Sequence, residues 1–121
     1  MRTTLLSFIL LAACQTQEKA PLTLAARERL AWPTSLDESR AFLVNTFDER
    51  ENLELCATPE SELRQREAKV VFYIRKRFGL DHGNTTLLRA AGTSDPDSAA
   101  LVILVNYRRV TKGILEDSEN Q

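Results

Sequence analysis

Between Thr58 and Gly79 the apolar residues fall at helical spacing, and both ends of the run carry helix-boundary residues. Thr58 is suited to an N-cap, and Pro59 to the first helical position, where its missing N–H costs nothing. Leu63, Val70, Val71, Ile74 and Phe78 make one stripe, with arginines and lysines on the other side. Gly79 can adopt the left-handed C-terminal cap, and Leu80 can fold back on the last turn. A helix with one apolar face needs a second layer to cover it. With 121 residues the chain holds one ordinary domain to supply that layer.

The neighbouring segments predict what the layer is. Ser35 with Glu38 three residues later has capping-box spacing, and Leu36, Leu43, Val44 and Phe47 share a face of a helix running to about Arg50. Leu53 and Leu55 alternate with Glu54, which predicts a short strand over Asn52–Cys56. Thr85 to Ala91 reads as another strand, and Ala100 to Val105 is a continuous apolar run suited to a strand buried on both faces. Ala26–Trp32 fits a helix or a weak strand and stops at Pro33. The resulting order, strand–helix–strand–helix–strand–strand, predicts an α/β (α+β) domain: a small mixed sheet with two packed helices.

The N-terminus has its own logic. Arg2 precedes the apolar run Leu5–Ala13, which is about half the ~20 residues a membrane-spanning helix requires. A signal peptide is therefore expected. Leu11-Ala12-Ala13-Cys14 resembles the lipobox of bacterial lipoproteins, in which the cysteine is acylated and becomes the new N-terminus. That resemblance implies a signal peptide over residues 1–13, a lipidated tether over 14–25, a globular domain over 26–115 and an acidic tail over 116–121. Gln15 is not the aspartate that retains such proteins at an inner membrane, so lipid anchorage on the periplasmic face of an outer membrane is implied for a diderm host. The mature chain then keeps one thiol, Cys56, whose apolar neighbours favour burial.

Groups that could carry chemistry are sparse. The single histidine, His82, sits in a polar turn, and no Walker loop, G-x-S-x-G elbow or G-x-G-x-x-G occurs. One histidine and one mature thiol do not make a conventional structural zinc site. No enzyme activity, cofactor or metal is therefore expected. A formal charge of −1 gives no basic surface for nucleic acid. Arg64, Arg66, Lys69, Arg75, Lys76 and Arg77 are interleaved with Glu60, Glu62 and Glu67, which describes a solvated helix face.

In this order of elements the region from Trp32 to Val110 resembles the OmpA-like domain of peptidoglycan-associated lipoproteins, a β-α-β-α-β-β sandwich. Leu63-Arg64-Gln65-Arg66-Glu67-Ala68 stands for the family's L-S-x-x-R-A, Gly92-Thr93-Ser94-Asp95-Pro96 for G-x-x-x-P, and Asn106-Tyr107-Arg108-Arg109-Val110 for N-R-R-V. The resemblance implies Arg64, Arg66 and Arg109 as contacts for a partner or for peptidoglycan. The family's ligand-holding aspartate and arginine fall on Pro59 and Glu67, so weak or absent peptidoglycan binding is expected. The leading expectation is a non-enzymatic, membrane-anchored docking component of an envelope machine such as a secretion, pilus or motility complex. A peptidoglycan-binding lipoprotein and a periplasmic inhibitor or immunity protein are the alternatives.

Overall fold

The computed structural model describes residues 23–119. The expected signal peptide, Cys14 and most of the tether lie outside them. The chain divides into two compact units, Met1–Ala31 and Trp32–Gln121. In the first, Thr23 starts a short helix, α1 (Leu24–Leu30), by accepting the Ala26 N–H on its hydroxyl at 3.1 Å. The helical alternative for this segment is the one that forms.

The second unit overturns the α/β expectation: among the described residues it contains helices and no strand. Its elements are α2 (Leu36–Val44), α3 (Glu49–Ala57), a 3-10 turn (Glu60–Glu62), α4 (Leu63–Arg66), α5 (Ala68–Arg77), α6 (Thr85–Ala91) and α7 (Pro96–Glu119). The OmpA-like sandwich falls with the sheet.

Each expected strand is helical for a local reason. The Asn52–Cys56 segment lies in α3, opened by a reciprocal cap: Glu51 N–H donates to Asp48 Oδ1 at 2.8 Å, and Asp48 N–H to Glu51 Oε1 at 3.2 Å. A strand would put Leu53 and Leu55 on one side. In the helix they diverge, Leu53 54% exposed and Leu55 4%. Thr85–Ala91 becomes α6 because the Asn84 side chain accepts the Leu87 N–H and Gly92 closes the helix at φ +77°. Ala100–Val105 lies in the N-terminal half of α7, which Asp95 caps and Pro96 opens. Its buried positions, Ala99, Ala100, Ile103, Leu104, Tyr107 and Arg108, follow a helical repeat, and Val102 is left at the surface. The helix cost of β-branched residues, a few tenths of a kcal/mol each, is small beside the area they bury.

The two expected helices are present in pieces. The first stops at Val44, where Asn45 and Thr46 turn their side chains back onto the Ala41 and Phe42 carbonyls. The second does not start at Thr58, which closes α3 by donating its N–H and its hydroxyl to the Glu54 carbonyl at 3.1 and 2.9 Å. Pro59 lies outside the helix in extended geometry, and Glu67 at φ −112°, ψ 34° separates α4 from α5. The apolar stripe nevertheless faces inward, with Leu63, Val71, Ile74 and Phe78 buried and Val70 half-buried. Gly79 has φ +69°, and the Leu80 N–H reaches the Arg75 carbonyl at 3.1 Å, the six-to-one bond of a Schellman cap. A Cβ at Gly79 would overlap the Trp32 indole.

Helix α7 is the hub, packing against α2, α3, α5 and α6. Two edge-to-face aromatic pairs help close the core, Phe42 with Phe78 at 5.1 Å and Phe47 with Tyr107 at 5.3 Å. Two polar side chains add long-range ties, one to a loop and one between α7 and α3. The Asn84 amide donates to the Pro33 and Phe78 carbonyls at 2.9 and 2.8 Å, and the Tyr107 hydroxyl donates to Asn52 Oδ1 at 2.6 Å.

Candidate functional site

The three arginines singled out by sequence do not converge. Arg64 pairs with Asp97 at the start of α7 (3.3 Å), Arg66 with Glu62 one turn back (3.4 Å), and Arg109 with Glu60 through Nε and Nη2 at 2.6 and 3.0 Å. Asp97 and Arg109 lie on the same helix, about 18 Å apart along its axis at ~1.5 Å per residue. The Arg109 guanidinium hydrogen-bonded to Glu60 holds that carboxyl below its usual range.

Arg108, the neighbour that sequence reading left aside, is buried. Its Nε donates to the Thr58 and Leu55 carbonyls at 2.9 and 3.3 Å, and Nη2 to the Cys56 carbonyl at 3.1 Å. A guanidinium thus sits on the C-terminal end of α3, where unpaired carbonyls and the helix dipole attract a cation. Glu60 Oε1 stands 3.7 Å from its Nη1. The N-R-R-V-like segment therefore joins α7 to the end of α3 and the turn after it.

A second ion cluster closes the Schellman turn. Asp81, 13% exposed at the side chain, meets Arg75 Nε at 2.6 Å and Lys76 Nζ at 2.8 Å. Burial pushes its carboxyl up, but the bonds to Lys76 and Arg75 outweigh this and hold it below the usual value. His82 is exposed. The Cys56 thiol is free and half-buried, and desolvation raises its pKa, which lowers its thiolate fraction. Among the described residues no group of three or more His, Cys, Asp or Glu side chains is placed to hold a metal ion. No helix among them is long and apolar enough to cross a membrane.

Besides a depression of about 410 Å³ beside α6, lined by Thr85, Leu88, Arg89, Gly92, Thr93 and Ser94, the described surface carries a groove between α3 and α5. At one end it is lined by Phe47, Glu51, Glu54, Leu55, Glu67 and Val70. It continues past Thr46, Lys69 and Tyr73 into an open stretch of about 270 Å³. Phe47, Glu51 and Val70 belong to both stretches. The floor is apolar and the rim is mostly carboxylate. The signal for it lay in α3: read as a helix, Glu51, Glu54 and Leu55 fall at i, i+3 and i+4 on one face.

Fold and groove together define a small helical domain that carries a carboxylate-rimmed groove among its described residues. The chain belongs to the family described as a domain of unknown function, DUF6794, whose profile matches residues 32–110. The match starts with the first residue of the second compact unit and runs to the turn of α7 that carries Arg108 and Arg109. No curated protein and no solved structure matches the chain.

Proposed function

We propose that this protein is a non-enzymatic docking lipoprotein of the bacterial envelope, tethered by lipid on Cys14 and offering its helical domain to a protein partner. The observation that carries the docking role is the groove between α3 and α5, a channel with apolar side chains left open at the surface. Apolar surface rimmed by charge is the usual make-up of a protein-binding patch. The anchor follows from the lipobox-like Leu11–Cys14, and Gln15 favours delivery to an outer membrane in a diderm host. Two or three acyl chains on one cysteine hold a domain firmly where a single chain does not. Peptidoglycan binding is not part of the proposal, because it leaned on the OmpA-like sheet.

Two measurements test it. Cys14→Ser should release the protein from membranes or leave an uncleaved precursor, and unchanged fractionation with unchanged mass would remove the anchor. In-membrane photocrosslinking from Tyr73 should trap one reproducible envelope protein. Absence of any crosslinked species would remove the docking role.

A further inference from the structure

We infer that the groove between α3 and α5 receives a partner helix whose apolar residues recur at helical spacing and are flanked by lysine or arginine. This rests on the docking reading above and names the chemistry of the partner. The groove's floor is built from Phe47, Leu55, Val70 and Tyr73, side chains of the kind that line a helix-binding groove. Glu51 and Glu54 come from α3 and Glu67 from the hinge before α5, with Lys69 as the cation lining the channel.

Charge complementarity selects the occupant. Arg50 pairs with Glu54 at 3.3 Å, but both side chains are well exposed, so the pair is weak and a cation on the partner can replace it. The Glu51 carboxylate accepts the Asp48 N–H and is thereby held in place before any partner arrives. Carboxylates on the rim repel an anionic bilayer surface. An open stretch of about 270 Å³ is also smaller and less enclosed than the usual pocket for a small molecule. The channel has little to rearrange: the reciprocal cap fixes one end of α3, and Arg108 fixes the other.

The test is an NMR titration of the ¹⁵N-labelled full chain with a synthetic leucine–lysine amphipathic helix and with its leucine–glutamate counterpart. The leucine–lysine peptide should give saturable shifts confined to amides of residues 46–55 and 67–73, weakened by salt. In the variant carrying Glu51→Gln, Glu54→Gln and Glu67→Gln, which keeps the capping geometry and a wild-type free spectrum, affinity should fall by about tenfold. Tyr73→Ala should weaken binding without changing the salt dependence. No shifts, shifts elsewhere, equal response to both peptides, or indifference to the triple variant would each overturn the inference. So would concentration-dependent shifts at these amides without peptide, which would give the groove to a second copy of the chain. A photocrosslinked partner captured equally well by the triple variant would sink this inference and leave the docking role standing.

Discussion

Arg108 and Arg109 are adjacent in sequence and opposite in consequence. Arg108 gives three hydrogen bonds to carbonyls at the end of α3 from a position 8% exposed, whereas Arg109 makes a solvated pair with Glu60. Arg108→Ala strands buried acceptors and should cost about 2–4 kcal/mol in a denaturant titration. Arg108→Lys should recover little, since an ammonium cannot span three carbonyls as a planar fork does. Arg109→Ala should leave the midpoint near wild type. Asp81 gives a pH-dependent counterpart. Its folded pKa lies below the unfolded value, so its contribution is complete above the ordinary carboxylate pKa of ~3.9 and is lost as pH falls through the depressed folded value. Urea midpoints measured from about pH 6 down to about pH 2 should therefore fall less steeply for Asp81→Asn than for the wild type.

At the scale of elements, α3 separates what could be read from sequence from what could not. Its reciprocal Asp48–Glu51 cap is visible in the residues, yet the Leu53-Glu54-Leu55 alternation pointed to a strand, and three residues fit both periods. Asp48→Ala should cost about 1 kcal/mol, and Asp48→Ser should restore most of it. The same ambiguity hid α7: a six-residue apolar run looks alike in a buried strand and a buried helix face, and its extension through Tyr107 and Arg108 decides for the helix. The stripe of α4 and α5 and the Gly79 cap were legible because their period ran long enough to be unambiguous. The break at Glu67 was not, since nothing in that residue's chemistry opposes a helix. The groove was illegible for a derived reason. Its rim depends on α3 being helical, whereas the strand assignment over Asn52–Cys56 put Glu54 and Leu55 on opposite faces and left Glu51 outside the element.

Taken whole, the domain is a set of helices that meet on α7 more than on one another. Leu104, fully buried on α7, should cost about 2–5 kcal/mol when cut to alanine, while Ile114→Ala, at a position 61% exposed, should stay within ~0.5 kcal/mol of wild type. Both should unfold in one transition that fluorescence of Trp32 and far-ultraviolet circular dichroism report together. The hub is also the last described element in chain order, and this bears on how such a protein is made. Until residues 96–119 have emerged from the ribosome, α2, α3, α5 and α6 lack the main surface against which Leu43, Leu55, Ile74 and Leu87 are buried. A nascent chain stopped short of α7 is a string of short, marginal helices. If the chain is exported as proposed above, late arrival of the hub keeps it threadable through a translocation pore for most of its synthesis and defers compaction to the far side.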